Sequence, residues 1–291
     1  MYAVVAAQAT PTNAAIRRAA GRGERWKLLR PTEALATLRP GDVALGRLDV
    51  LETLDGVDDG LWALGELEAR GVRVLNGAAA LLATHDKLLT ARLLTGAGLP
   101  HPRTRVATGD SVPEGLDGPV VVKPRFGSWG RDVARCETRP ELVRQLELMR
   151  DRPWFRRHGA LVQELVAPRG YDLRIVVAGD RVVGAVMRVA KDGEWRTNVA
   201  LGAKRLPTEP PAPAKRLALA AAAAVGTSLV GVDLLPDTQG GWTVLELNGA
   251  VEFTDDYSLG QNAFEAAAFE LSRVAAGRPR RDLQDRPALV K

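Results

Sequence analysis

The sequence predicts a mixed α/β fold with more than one domain, and three observations support this. Short apolar runs alternate with helical stretches over the first 80 residues, which is the pattern of a parallel sheet covered by helices. Later, two pairs of apolar runs are each joined by a turn, which predicts antiparallel strands. The chain has 291 residues, enough for about two domains or one large one.

The N-terminal domain is predicted to be a small open α/β unit over residues 1–83. Its predicted strands are Ala3 to Ala7, Trp26 to Leu29, Val43 to Leu45 and Val72 to Leu75, with a helix from Gly60 to Arg70. No GxGxxG fingerprint follows the first strand, so a nicotinamide or flavin cofactor is not indicated.

A helix, an extended linker and an antiparallel sheet are predicted next. Thr84 is expected to cap a helix that ends near Gly98, and Leu99 to Pro102 form the linker. The predicted strands are Val120 to Lys123, Leu161 to Val166, Asp172 to Ala178 and Arg181 to Arg188, the last two joined through Gly179 and Asp180.

The C-terminal part is predicted to contain a hairpin between two helices. A proline-rich segment at 207–213 precedes an alanine-rich helix at 214–225, and a helix at 262–275 closes the fold. Residues 278–291 are predicted to form a flexible tail.

Composition argues against several classes of protein. The hydrophobic content of 46% and charged content of 26% are those of a globular domain. No run approaches the roughly 18 apolar residues of a membrane span, and no basic region precedes the apolar N-terminus, so we expect a cytoplasmic protein. The single cysteine, Cys136, is interpreted as a packing residue, and the three histidines lack zinc-ligand spacing.

The net charge of +5 favours an anionic partner. The arginines are spread along the chain and do not cluster between aromatic residues, so a nucleic-acid-binding protein is the weakest hypothesis. A mild positive field fits a polyanion such as ATP, or an acidic protein.

Residues 231–248 predict a hairpin that carries three oxygen ligands. Glu246 and Asn248 point the same way because strand side chains alternate. With a symmetric turn, Asp233 lies opposite Val244 and is on the same face of the hairpin as Glu246 and Asn248. Two carboxylates and an amide suit Mg²⁺. The alternative is an ordinary hairpin with one hydrated face and one apolar face, formed by Val232, Leu234, Leu245 and Leu247.

Two lysines occupy positions that favour an anion nearby. Lys123 ends a run of valines, where an unpaired charge is costly. Lys87 lies in the first turn of its helix, where the macrodipole disfavours a cation. A phosphate would satisfy both, whereas the alternative is two surface lysines with extended side chains. Between Lys123 and the next strand, the glycines of residues 125–131 allow backbone N–H groups to approach an anion, although such a stretch alone is usually a turn.

Residues near the ends of the next strands predict a binding pocket. Residues 163–166 end an apolar strand and can offer an apolar slot and backbone hydrogen bonds to adenine. Arg174 and Arg188 can hold a carboxylate or a phosphoryl group through a bidentate fork. The alternative for Asp172 and Arg174, two residues apart, is a simple salt bridge.

The order of these motifs is distinctive. Along the chain they are Asp86-Lys87, Gly98-Leu99-Pro100 with Thr104, Val122-Lys123-Pro124, Gly127-Ser128-Trp129-Gly130-Arg131, Gln163-Glu164, Asp172-x-Arg174, Arg188, Trp195-Arg196-Thr197-Asn198, Gly231-Val232-Asp233 and Glu246-Leu247-Asn248. Together they resemble the ATP-grasp superfamily, and within it the RimK and LysX branch of carboxylate–amine ligases. The resemblance covers about residues 75–275.

The resemblance implies an ATP-grasp fold that holds ATP between two antiparallel sheets, with a central subdomain at 84–185 and a C-terminal subdomain at 186–277. For the nucleotide, it implies phosphate binding by Lys87 and Lys123, a phosphate lid with Ser128 and Trp129, adenine binding by Gln163, Glu164, Leu165 and Val166, and ribose contact by Asp172. It also implies a transfer site with Arg174, Arg188 and Asn198. Mg²⁺ or Mn²⁺ would be bound by Asp233, Glu246 and Asn248.

In such enzymes a carboxylate attacks the γ-phosphate of ATP, and an amine captures the resulting acyl phosphate to form an amide. Glu252-Phe253 resembles LysX-type enzymes, which implies an acidic carrier protein or a glutamate-tailed peptide as the acid and an amino acid as the amine. A dimer or tetramer is also implied. Ala200-Leu201-Gly202-Ala203 departs from the usual Ala-Arg-Gly-Gly, so the alternative is a non-catalytic ATP-binding regulatory module.

Overall fold

The computed structural model describes residues 1–19, 26–109, 111–116 and 118–277, and three sheets organise them. The predicted tail at 278–291 lies outside the described residues.

The first sheet is parallel and four-stranded, in the order β2-β1-β3-β4. Its strands are β1 Tyr2–Val5, β2 Trp26–Leu29, β3 Val43–Gly46 and β4 Arg73–Leu75. The associated helices are α1 Pro11–Ala19, α2 Pro31–Thr37, α3 Leu61–Ala69 and α4 Ala78–His85. The predicted open α/β unit is confirmed, and α1, α2 and α4 are additions that the sequence did not predict.

The second sheet is antiparallel, in the order β5-β8-β6-β7. Its strands are β5 Thr104–Ala107, β6 Val120–Pro124, β7 Ala134–Cys136 and β8 Ala160–Glu164. The helices of this region are α5 Lys87–Gly96, α6 Arg139–Met149 and α7 Pro153–His158.

The predicted cap of α5 is wrong by two residues. Asp86, not Thr84, caps the helix, because its carboxylate accepts hydrogen bonds from the backbone N–H groups of Leu88 and Leu89. Thr84 lies inside α4, and its hydroxyl donates to the carbonyl of Leu81.

The third sheet is antiparallel, in the order β11-β10-β9-β12-β13. Its strands are β9 Tyr171–Ala178, β10 Arg181–Val189, β11 Lys204–Pro207, β12 Leu229–Pro236 and β13 Trp242–Asn248. The helices α8 Ala212–Val225 and α9 Ala263–Ala275 pack in two separate cores, with Ile175 and Val177 of β9 in the first core and Val176 and Ala178 in the second. Because strand side chains alternate, these helices cover opposite faces of the sheet.

The pairing also bears on the subdomain division expected at residue 185. That position lies within β10, and both β9 and β10 pair in the same sheet as β12 and β13. We therefore propose that the division between the two antiparallel sheets follows β8.

The register of the β12–β13 hairpin differs from the symmetric one. Asp233 lies opposite Glu246, not Val244, and Val244 lies opposite Leu234, with a bulge at Leu245. The bulge moves Val244 into the core and Leu245 out of it, so Val244 replaces Leu245 on the predicted apolar face. Asp233, Glu246 and Asn248 nevertheless share one face, as predicted.

Within the described ranges, no helix combines the length and apolar character that crossing a bilayer requires.

Asn76 joins the first sheet to the third. Its amide oxygen accepts from the backbone N–H groups of Ser228 and Leu229 at 2.7 and 3.0 Å, and its amide nitrogen donates to the carbonyls of Leu229 and Gly249 at 2.6 and 3.3 Å. The residue is buried, with a φ of 51° in the left-handed region that Asn tolerates better than most residues. This joint fixes the chain directly after Asn248.

We expect Asn76→Ala to lower the free energy of unfolding by about 2–4 kcal/mol, because buried backbone groups lose their partners and the backbone is strained. Asn76→Gly relieves the strain but still lacks the amide, so it should lose about 1 kcal/mol less than Ala. Urea denaturation measures both variants. A Gly variant as stable as the wild type would show that the amide contributes no more than the strain that glycine relieves.

Candidate functional site

A first cleft of about 910 Å³ is lined by residues of the second and third sheets. Most of the predicted site residues line it, namely Lys87, Lys123, Ser128, Trp129, Gln163, Glu164, Leu165, Val166, Asp172, Arg188, Asn198, Asp233 and Glu246. The predicted residues thus converge from distant parts of the chain.

A second cleft of about 760 Å³ adjoins the first and includes the other two predicted residues, Arg174 and Asn248. The two clefts share Ser128, Trp129, Arg188, Asn198 and Glu246. A group bound in one cleft can therefore meet a group bound in the other.

Lys123 is buried at the end of β6 and points at a polar partner. Its ammonium donates to the side-chain oxygen of Gln163 at 2.7 Å, and the amide nitrogen of Gln163 donates to the hydroxyl of Thr104 at 2.8 Å. Burial lowers the pKa of Lys123 to about 8, although the charge of Glu246 acts in the opposite sense. The side chain of Gln163 thus orients the ammonium of Lys123. The next three residues, Glu164 to Val166, also line the first cleft.

Lys87 is the first residue of α5, so it lies in the first turn of the helix, as predicted. Its ammonium donates to the carbonyl of Gly127 at 2.6 Å and lies 3.4 Å from a carboxylate oxygen of Glu246. The preceding residue, Asp86, accepts two hydrogen bonds from Arg125 at 2.7 and 2.5 Å. These contacts tie the loop after β6 to the start of α5. The sequence analysis missed Asp86 and Arg125 as a pair, since their contact joins segments 39 residues apart.

The loop after β6 turns sharply beside the cleft. Trp129, Gly130 and Asp132 have φ values of 60°, 70° and 52°. A side chain at Gly130 would place a carbon 2.9 Å from the amide oxygen of Asn198, so a larger residue there would be strained and would displace Asn198. The guanidinium of Arg196 donates to the carbonyl of Gly130 at 3.1 Å. The predicted lid is therefore in contact with the segment that carries Asn198.

Arg131 and Leu201 complete the surroundings of this loop. The Arg131 guanidinium lies 4.8 Å from the ring centre of Trp129, within cation–π range. Leu201, which departs from the usual arginine, lies within 3.2 Å of the position that a side chain on Gly130 would take. An apolar residue thus packs against the turn of the lid.

Two arginines and two carboxylates form a buried network across the third sheet. Arg174 donates to both oxygens of Asp233 at 2.7 and 2.6 Å. Arg188 donates to Asp233 at 2.9 Å and to both oxygens of Asp172, with the Nε bond at 2.8 Å. Thr197 donates to Asp172 at 2.6 Å. The alternative salt bridge between Asp172 and Arg174 is wrong, because each residue pairs across strands instead.

The sheet register explains this network. Asp172 lies opposite Arg188, and Arg174 lies opposite Asp233. Burial alone would raise the pKa of Asp233, but the guanidinium groups of Arg174 and Arg188 outweigh burial and hold its pKa well below the usual range. Both carboxylates are almost fully buried.

The hairpin offers oxygen donors of the kind that Mg²⁺ prefers. Both oxygens of Asp233 are taken by arginines, Glu246 faces Lys87, and the amide nitrogen of Asn248 is buried without a hydrogen-bond partner. Among the residues that the structure describes, no group of three His, Cys, Asp or Glu side chains is placed to hold a metal ion. A magnesium ion here would thus use few protein ligands together with oxygens of a bound phosphate.

Comparisons with known proteins place most of the chain in one family. The family described as RimK-like ATP-grasp domain matches residues 84–264. The alpha-aminoadipate–LysW ligase LysX of Saccharolobus solfataricus is 32% identical over 213 residues, covering 72% of this chain and 76% of that protein. A probable alpha-L-glutamate ligase of Legionella pneumophila is 32% identical over 197 residues, covering 66% and 64%.

A solved structure shares the fold. The ATP-grasp ligase PsnB, in complex with a phosphomimetic variant of its minimal precursor, Mg and ADP, superposes with a TM-score of 0.65 at 18% identity. The superposition covers 94% of this chain and 98% of that chain.

Without ligand, Lys123 should titrate with a pKa of about 8. Glu246→Gln should lower that pKa further because an attractive charge is lost, and Lys87→Met should raise it because a repulsive charge is lost. Competitive acetylation across pH, read by mass spectrometry, measures the pKa, with exposed Lys204 as the internal control. A normal lysine pKa that neither substitution shifts would contradict the description of the site.

Proposed function

The chain belongs to the RimK-like ATP-grasp family and is an ATP-dependent carboxylate–amine ligase, and from this premise we propose how ATP and the two substrates are arranged. ATP occupies the first cleft and the reacting carboxylate meets it where the two clefts join. The observation that carries the proposal is the convergence of two lysines, two arginines and the hairpin carboxylates on these connected clefts.

Lys87 and Lys123 bind the phosphates of ATP. Both ammonium groups line the first cleft and each donates to an uncharged oxygen. Glu246 lies beside Lys87, so a phosphate adds negative charge where two lysines share the charge of this carboxylate. Glu164, Leu165 and Val166 accept the adenine, and the loop of Ser128 and Trp129 covers the phosphates.

Asp172 and Gln163 have positioning roles in this proposal. Asp172, expected near the ribose, is fully buried and holds Arg188 and Thr197. Gln163, expected at the adenine, is bonded to Lys123 and Thr104. Each orients a cationic or polar group that faces the cleft.

Glu246 and Asn248 would hold Mg²⁺ together with phosphate oxygens, and Mn²⁺ could substitute because it accepts the same ligands. Asp233 joins them only by giving up a hydrogen bond from Arg174 or Arg188. When bound, the metal neutralises charge on the transferred phosphate.

The arginines act on the carboxylate substrate. Arg188 is fixed by Asp172 and Asp233, and Arg174 by Asp233, so their charges are oriented before the substrate arrives. The substrate carboxylate takes the γ-phosphoryl group of ATP, giving an acyl phosphate and ADP. Attack by the amine forms the amide and releases phosphate. Asn198 lies where the two clefts join and contacts this transfer site.

The acid is the terminal carboxylate of an acidic carrier protein or a glutamate-tailed peptide, and the amine belongs to an amino acid. The names of the LysX relative and of the glutamate ligase support this, as does the net charge of +5, which attracts an acidic partner. Assembly into a dimer or tetramer stays a prediction.

ADP release from Mg-ATP should require both an acid and an amino acid. A panel of amino acids is tested with and without a glutamate-tailed peptide and with candidate carrier proteins. Glu246→Gln should lower turnover by about 100-fold or more, because a charge at the phosphates is lost. Glu265→Gln, on an exposed position of α9, is the matched control and should behave as wild type. Tight ATP binding without turnover on any pair would favour the regulatory module instead.

ATP affinity should be constant below pH 8 and fall above it. The ligand-free pKa of Lys123 is about 8, and a bound phosphate raises it, so above pH 8 binding must take up a proton and weakens by up to about tenfold per pH unit. Calorimetry in buffers of different ionisation enthalpy counts this proton. Lys123→Arg, which stays charged, should abolish the uptake, and uptake that persists in the variant would assign the proton to another group.

A further inference from the structure

The second cleft contains groups that phosphate transfer does not use. Asp49 and His85 line it, together with Arg205 and Glu252. Asp49 follows β3 and His85 ends α4, so both come from the region before α5, whereas Arg205 belongs to β11. The cleft is therefore lined by charges of both signs, which suits a zwitterion better than a simple anion.

His85 is oriented by a backbone hydrogen bond. Its ring nitrogen Nε2 lies 2.8 Å from the carbonyl oxygen of Leu48, which can only accept, so Nε2 carries the proton. Nδ1 is then an acceptor, and it lies 3.8 Å from a carboxylate oxygen of Asp49. His85 is 5% exposed, whereas the Asp49 side chain is 45% exposed. A small cationic group can reach Asp49 and donate a hydrogen bond to Nδ1.

Unpaired donors mark the other side of the cleft. The Nε of Arg205 and the amide nitrogen of Asn248 are buried and have no hydrogen-bond partner. Both residues line the second cleft. A buried donor without a partner costs free energy, and a carboxylate is a group that accepts hydrogen bonds from donors of this kind.

Resting on the proposed function, we propose that the second cleft binds an α-amino acid as the amine substrate, with Asp49 and His85 at the amine and Arg205 at a carboxylate. His85 Nδ1 is the acceptor of the proton that the amine nitrogen loses during amide formation.

The proton balance is simple. Asp49 holds the substrate ammonium, which loses one proton to solvent before it can attack. The neutral amine attacks the carbonyl of the acyl phosphate, a C–N bond forms, and the bond from carbon to the phosphate oxygen breaks. The nitrogen sheds a second proton to His85 Nδ1, which releases it to solvent through exposed Asp49. Amide, phosphate and protons are the products.

The surroundings keep the His85 ring available as an acceptor. Burial lowers its pKa below the usual value, and the charges of Lys87 and Arg47 act in the same sense. Asp49 and the hydrogen bond to Leu48 oppose them. The imidazole is therefore neutral at pH 7.

The test separates the two half-reactions. Hydroxylamine traps an acyl phosphate as a hydroxamate. After attack its nitrogen is a stronger acid than that of an amino acid, so water can take the proton that His85 is proposed to accept. His85→Gln keeps an amide N–H that can donate to the carbonyl of Leu48 and removes the basic ring nitrogen, since an amide oxygen does not take up a proton at this pH. We expect this variant to retain hydroxamate formation from Mg-ATP and acid, while amide formation with the amino acid falls by about 100-fold or more.

Two further variants test the orientation of the amino acid. Asp49→Asn and Arg205→Gln should raise KM for the amino acid at least tenfold and leave KM for ATP unchanged. The matched controls are His158→Gln, whose Nε2 likewise lies 2.8 Å from a backbone carbonyl, and Asp59→Asn on an exposed position. Both controls should retain the wild-type amide rate.

Each outcome has a distinct meaning. Wild-type amide formation by His85→Gln would overturn the role of His85, and equal loss of hydroxamate and amide would show that the substitution damages the first half-reaction or the fold. In the wild type, the rate of amide formation should fall more steeply at acid pH than in His85→Gln, because protonation of the His85 ring adds to protonation of the substrate amine. No hydroxamate from the wild type with any acid would refute the ligase function itself, separately from this inference.

Discussion

The buried network of Asp172, Asp233, Arg174 and Arg188 is the constraint on which the third sheet depends. Three of these four charges are almost fully buried, which costs several kcal/mol per ion, and only well-formed hydrogen bonds offset that cost. The antiparallel register supplies those bonds, because each arginine lies opposite a carboxylate on the neighbouring strand. A slip of one residue would leave each charge buried without its partner. The same contacts that orient the arginines towards the cleft therefore also fix the register of three strands.

The sequence was sufficient for the fold class and for most residues of the first cleft. Valine-rich runs and a lysine before a proline are local signals, and the motif order ties them together. The bulge at Leu245 could not be predicted, because the length of the turn is compatible with a symmetric register and with a bulged one. The cap at Asp86 was missed because Thr84 offers an equally good capping residue two positions earlier. In both cases a local pattern allowed two answers and tertiary packing selected one.

The second cleft was outside the reach of local patterns. Asp49, His85 and Arg205 belong to different elements, and nothing in their immediate sequence marks them as partners. The first sheet places two of them, and it is attached to the segment after β13 by several contacts. Besides Asn76, the hydroxyl of Thr12 donates to the carbonyl of Phe253 at 3.0 Å. The N-terminal domain thus contributes walls of the site as well as stability.

The bulge in β13 shifts the alternation of side chains between the two faces of the sheet by one residue. Before it, Val244 faces the core, and after it, Leu247 does so, while Leu245 and Glu246 both face the first cleft. Insertion or deletion of one residue between Val244 and Asn248 would exchange core and cleft side chains. The exposed turn between β12 and β13 has no such role. Among related sequences, length variation should therefore accumulate in the turn and be excluded from the five residues that follow Thr243.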